Sequence, residues 1–172
     1  SFNSVETIRD TIKSIISQDY ENIEYILIDA GSTDGTLDII KEYEGYINYF
    51  SSEEDDGIYD GMNKGISVAS GEVVGILNSD DFYPNSYIVS NVARTFEKRN
   101  CDAVYGDLVY VKFYDTDKIV RYWQSGNYSV KKIKNGWMLP HPTFFVKREM
   151  YEKYGYYNTE LKSAADYEMI LK

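Results

Sequence analysis

Four carboxylates, Asp29, Asp80, Asp81 and Asp166, stand where side-chain chemistry is most readily placed in this 172-residue chain. Asp29 ends the apolar run "EYILID", and "AGSTDGT" follows, with Gly31 and Ser32 adding little side-chain bulk. Asp80 and Asp81 close "VVGILNSDD" in the same way, and "SSEEDD", which contains Glu53, follows a third apolar stretch. Acids gathered at one rim repel each other. The usual compensation is a hard cation such as Mn2+ or Mg2+, bound by oxygen and completed by water and a ligand's phosphate. The small residues after Asp29 would let a flat base approach the backbone, and the combination suits a nucleoside diphosphate. Plainer readings stand beside this one. Asp29 could cap its own turn, and Asp34 in "STDGT" reads as a turn and helix-cap residue. "EEDD" reads as a solvated loop, and a paired acid also starts helices well.

The elements that must position these residues alternate. Val5, Ile8, Ile12 and Ile15 repeat at helical spacing, predicting a helix over 5–16 with Asn3 or Ser4 as cap. A strand is expected at 25–28, a short helix from Thr36 through Tyr43 and a strand at 46–50. Ile58, Met62, Ile66 and Ala69 predict a helix that Gly71 ends in a left-handed cap, and Val73 to Leu77 predicts a buried strand. Ile88, Val92 and Phe96 mark a helix, and "DAVYGDLVYV" marks a strand. Strands alternating with helices imply an α/β fold, Rossmann-like, with a mostly parallel sheet covered on both faces. In such sheets ligands bind outside the carboxyl ends of the strands, where these acids stand.

From Asp107 the pattern changes. Residues 109–113 and 118–122 flank "YDTD" as a hairpin; then come "TFFV", a short helix closed by Gly155 and a last helix after Ala164. The expectation is one domain over 1–172, with an alternating half at 1–107 and a smaller, antiparallel and irregular half at 108–172. The opening Ser1-Phe2-Asn3, without methionine, and the amphipathic "ADYEMILK", which stops in mid-pattern, are what a fragment of a longer protein would show.

Composition sets outer limits. A formal charge of -10 repels nucleic-acid phosphates, so no nucleic-acid partner is expected and a phosphate ligand would need a metal between. The single cysteine, Cys101, excludes an internal disulfide and is expected to be buried at a strand start; a cytoplasmic location follows as the expectation. No stretch reaches the ~18 apolar residues of a membrane span.

In order and interval these motifs resemble the family 2 glycosyltransferases, whose nucleotide-sugar-binding domain has the GT-A fold. "EYILIDAGSTDGT" looks like the family's first nucleotide-binding segment, "SSEEDDGIYDGMNKGISVASGEVVGILNSDD" like its middle segment ending in metal-binding acids, and "HPTFFVKREMYEKYGYYNTELKSAADYEMILK" like its acceptor-side segment. The resemblance implies that Asp29 contacts the uracil or other base, with Gly31 and Ser32 beside it, that Asp80 meets the ribose or a metal-bound water, and that Asp81 meets the cation on the diphosphate. It implies that Asp166, in "SAADYEM", is the catalytic base. Glu53, Tyr59, Asn63 and Lys64 match positions near the nucleotide, and His141 in "LPHPT" matches one near the active site. Ala30, Ala165 and Asn158 depart from the family pattern, and the apolar strand that relatives carry before Ser1-Phe2-Asn3 is missing.

A nucleotide sugar already carries a good leaving group once a cation neutralises its diphosphate, so the protein needs one base and an in-line geometry. One base implies inversion; no second carboxylate presents itself as a nucleophile. The resulting expectation is transfer of a sugar, from UDP in the first instance, to a hydroxyl of a glycan or lipid-linked glycan. Trp137 and Trp123 are candidates for sugar stacking or for core. "KKIK", 131–134, could meet a phospholipid surface or an acceptor's phosphate at the inner face of the membrane, or be a solvated loop. Two rivals remain: a receiver-like signalling domain, to which the hairpin and "HPTFF" are foreign, and a non-catalytic glycan- or metal-binding module of the same fold.

Overall fold

The structure, a computed structural model, describes residues 1–172 and contains two cores that meet at an open slot. The first core begins with α1 (Ile8–Ile16), whose Ile8 and Ile12 are buried against Tyr25, Leu27 and Ile40. Leu27 belongs to β1 (Ile26–Asp29), and Ile40 to α2 (Thr36–Glu42). On the outside, Arg9 of α1 forks onto both Glu42 oxygens, at 2.6 and 2.9 Å. A 3-10 turn at Glu44–Tyr46 then leads to β2 (Tyr49–Ser52), which runs parallel to β1 with Asp29 opposite Ser52.

The second core is built around α3 (Ile58–Val68), β3 (Val73–Gly75), β4 (Ala103–Val104), β7 (Phe145–Lys147), α6 (Arg148–Tyr154) and α7 (Ala165–Leu171). Ile66, Val146, Tyr151, Tyr157, Ala165 and Met169 are buried together there. α4 (Ile88–Lys98) packs beside β4. The pair β5 (Leu108–Lys112) and β6 (Asp115–Trp123) forms a separate antiparallel hairpin, and α5 (Val130–Lys134) follows.

The fold is α/β as expected, but the sheet is not mostly parallel. Only β1 and β2 pair in parallel; β7 lies between β3 and β4 and runs antiparallel to both. Periodicity reports which face of a strand is buried and not which strand will be its neighbour. At the β3–β7 pairing, Gly75 sits opposite Phe145, whose ring lies where a Cβ would stand, only 2.4 Å away. Glycine leaves that space to the ring.

β1 is bonded along one edge to β2, and β3 along one edge to β7, so no strand ladder joins the two cores. Between them runs a slot of about 2180 Å³ lined by Ile26 and Ile28 on one side and Val74 and Ile76 on the other. Ser1 lies beside the second edge of β1: its backbone nitrogen donates to Ile28 O at 2.6 Å and Ala30 N–H donates to its carbonyl at 2.8 Å, the bonding of a parallel ladder.

Several boundaries differ from the sequence expectation. Residues 5–7 form a turn before α1, β3 ends at Gly75, and "DAVYGDLVYV" divides into β4 and β5. α3 stops at Val68 with Ala69 extended, so Gly71 caps nothing. The hairpin turns at Phe113–Tyr114, and "YDTD" falls partly within β6. The lysines at 131–134 lie on α5, opened by Ser129, not in a loop. Cys101 is half-buried.

Candidate active site

Asp29 ends β1 and is completely buried. Its Oδ1 accepts hydrogen bonds from the hydroxyls of Ser1 (2.9 Å) and Ser32 (2.6 Å). Its Oδ2 accepts from Gly31 N–H (3.1 Å), Ser32 N–H (2.8 Å) and the Ser52 hydroxyl (2.7 Å). Burial alone would raise its pKa, but the bonds from Ser32, Ser52 and Ser1 outweigh that and hold the carboxyl below its ordinary value. The turn is thus wound around the carboxylate. Gly31, at φ 78°, takes the left-handed conformation this requires, and an added Cβ would come within 3.5 Å of Glu54 N. Asp34 serves the next turn, accepting from Thr36 N–H and hydroxyl and from Val5 N–H, the capping reading of that residue.

The turn after β3 is organised differently. Asp81 Oδ2 has one contact, Asn78 Nδ2 at 3.5 Å, at the limit of a hydrogen bond. Half-buried, its carboxyl is pushed above the ordinary value by desolvation and by Asp80 beside it. The turn is fastened to α1: the Thr11 hydroxyl lies 3.0 Å from Ser79 O and 2.7 Å from Asp81 O, and Ser4 Oγ meets Ser79 Oγ at 2.7 Å. Asp80 is exposed beside Asp81. No group of three or more His, Cys, Asp or Glu side chains gathers to hold a metal, so the expected convergence of acids from three strand ends does not occur. Glu53 instead faces Lys64, which is 3.3 Å from Glu53, Asp60 and the Glu54 carbonyl alike.

On the other core, Asp166 occupies the first turn of α7 after Ala164, which stands in the left-handed region. Its Oδ1 accepts from Tyr59 OH at 3.3 Å and from Tyr167 N–H at 2.9 Å. The Tyr59 ring stacks on Tyr157, with centroids 5.8 Å apart, and the Tyr157 hydroxyl meets His141 Nε2 at 2.9 Å. Burial lowers the His141 pKa, with Asp166 pulling the other way. Asn63 engages the backbone of Tyr157 at both its N–H and its carbonyl, each at 2.9 Å. Trp137 lies apart from this cluster, edge-on to Tyr105 with the Lys132 ammonium 6.0 Å from its ring.

The structure therefore joins Tyr59, His141 and Asp166 in one aromatic and polar cluster, places Asn63 as a brace and Lys64 as an ion-pair hub, and leaves Trp137 outside. Thr11, Ser52, Asn78 and Tyr157 take part without having been singled out. Thr11 carried a signal: it is a polar residue on the apolar face shared by Ile8, Ile12 and Ile15.

Residues 1–155 match the glycosyl transferase family 2 profile. The chain belongs to that family. An uncharacterized glycosyltransferase of Mycobacterium tuberculosis is 30% identical over the whole of this family 2 chain, and a PGL/p-HBAD biosynthesis glycosyltransferase of Mycobacterium bovis is 26% identical over 94% of it. The chain spans 65% and 62% of those relatives' lengths. Among solved structures, Staphylococcus aureus TarS in complex with UDP superposes on 98% of the chain with a TM-score of 0.79 at 24% identity, this chain covering 51% of TarS. The mannosyltransferase PcManGT of Pyrobaculum calidifontis, in complex with GDP-Man and Mn2+, superposes on 98% at a TM-score of 0.73 and 20% identity, with 48% of its own length covered. These neighbours are glycosyltransferases of GT-A architecture, and the family 2 chain shares that fold. None of its helices is long and apolar enough to cross a membrane.

Proposed function

We propose that this family 2 chain carries the donor site and the base of an inverting, divalent-cation-dependent glycosyltransferase, which moves a sugar from a nucleoside diphosphate, UDP in the first instance, to a hydroxyl of a glycan or lipid-linked glycan. The carrying observation is Asp81, half-buried beside Asp80 with one marginal hydrogen-bond partner, in a chain of net charge -10. Such an acid invites a cation, and such a chain would repel a bare diphosphate.

In this reading Asp81 and Asp80 would hold Mn2+ or Mg2+. The cation would neutralise charge on the leaving group. Asp29 acts through the turn it winds: the carboxylate fixes Gly31 and Ser32, and the base lies on that turn's backbone. Asp166 takes the proton of the incoming hydroxyl, and a single base accords with inversion. Glu53, whose N–H donates to the Asp29 carbonyl at 3.1 Å, links that turn to α3 through its ion pair with Lys64.

The UDP and GDP-Man complexes of TarS and PcManGT support a nucleotide-sugar donor, and the Mn2+ of PcManGT supports the cation. The lysines of α5 suit an anionic lipid surface, which supports a reading at the inner face of the membrane. Calorimetry of UDP binding with Mn2+ and with EDTA tests the reading. Binding that needs the cation is expected; equal affinity in both would remove Asp80 and Asp81 from the donor site.

A further inference from the structure

The two oxygens of Asp166 are not equivalent. Oδ1 accepts from the Tyr59 hydroxyl at 3.3 Å and from the N–H of Tyr167 at 2.9 Å. Oδ2 has no protein partner and is not among the buried unsatisfied atoms, so it opens to solvent. Two donors on one oxygen fix the plane of a carboxylate and direct its free lone pairs. One donor is the helix's own backbone; the other comes from α3, 107 residues earlier in the chain.

Tyr59 is itself held in place. Its ring stacks on Tyr157 with an interplanar angle of 13°, and the Tyr157 backbone is clasped by Asn63, one turn further along α3. The phenol is therefore presented from a helix and braced by a ring at its back. We propose that Tyr59 is a positioning residue for Asp166, engaging Oδ1 so that Oδ2 is the oxygen that takes the acceptor's proton. The proposal rests on the reading of Asp166 as the base. In the step concerned, the acceptor's O–H proton passes to Oδ2 while its oxygen bonds the sugar's anomeric carbon. The bond from that carbon to the diphosphate breaks, and its electron pair leaves on the phosphate oxygen.

The groups facing Asp166 are Tyr59 from α3, His141 from the 3-10 turn His141–Thr143, and Tyr157 with Tyr151 behind it; Tyr167 and Glu168 are its helix neighbours, the latter paired with Lys172. Only Tyr59 and the Tyr167 N–H bond its carboxylate directly.

The test is kcat, counted per UDP-binding site, together with acceptor KM and UDP affinity in the full-length active enzyme for wild type, Tyr59→Phe and Asp166→Asn. Phenylalanine keeps the ring that stacks on Tyr157, and counting per UDP-binding site removes any change in the amount of folded enzyme. Tyr59→Phe is expected to lower kcat by roughly tenfold, the loss of one hydrogen bond to a charged group. Acceptor KM and UDP affinity in Mn2+ should stay unchanged. Wild-type kcat in Tyr59→Phe, with activity lost in Asp166→Asn, would overturn the positioning role and leave the base in place. A raised acceptor KM with unchanged kcat would overturn it as well, making Tyr59 an acceptor contact. Full activity in Asp166→Asn would instead overturn the base reading beneath it.

Discussion

Asn63 holds Tyr157 by its backbone, donating to the carbonyl and accepting from the N–H of the same residue across 94 positions of sequence. The Tyr157 side chain is buried, so its backbone depends on this amide for part of its bonding. Asn63→Ala should destabilise the chain by about 1–3 kcal/mol, read as a lower urea midpoint with unchanged slope. An unaltered midpoint would show the clasp to be replaceable by water.

Asp81 leads to a prediction with an unusual sign. Its folded-state pKa lies above the unfolded value of 3.8, so its contribution to stability is fully present below that value and is lost as pH rises through the folded-state pKa. Without cation, Asp81→Asn should therefore match or exceed wild type in melting temperature at neutral pH. With Mn2+ and UDP the order should reverse, since only the wild type gains from binding. Thermal melts in EDTA and in Mn2+ with UDP check both halves.

Asp29 has the opposite sign. Its pKa is depressed, so the stability it contributes is present above its unfolded value of 3.8 and is lost as pH falls through the lower folded-state value. Asp29→Ala leaves five donors without their acceptor and should cost on the order of 3 kcal/mol. Nucleotide affinity should drop with or without the sugar attached, because the turn as a whole loosens. Denaturation together with UDP and UDP-sugar titrations decides it; an undisturbed melt would show the turn to be self-supporting.

Asp166→Asn retains size and much of its first-turn role but cannot accept a proton. In the full-length enzyme, transfer should fall roughly 10²–10⁴-fold with donor and metal affinity unchanged. Loss of UDP binding would assign Asp166 to the donor site.

Local signals were legible where the physics is local. "STDGT" announced a turn, and Asp34 caps Thr36 as that spacing requires. The apolar repeats located α1, α3 and α4 within a few residues. The roles of Asn63 and Tyr59 were not legible, since each depends on a partner about a hundred residues away that only packing brings near. Sheet order was hidden for the same reason: β7 is an ordinary apolar triplet in sequence, and its place between β3 and β4 follows from tertiary contacts. The short α5 was read as a candidate loop because lysines obscured the single buried Ile133 and the Ser129 cap.

The acid turn after β3 is fastened across the two cores. The turn bearing Asp80 and Asp81 follows a strand of the second core, yet its bonds run from Thr11 and Ser4 to the first. Thr11 is thus a fastening for carboxylates it never touches: its one hydroxyl makes both bonds from α1 to the backbone of that turn. Thr11→Val keeps the shape of the side chain and should loosen the acid turn while leaving Asp166 and Tyr59 undisturbed in the second core.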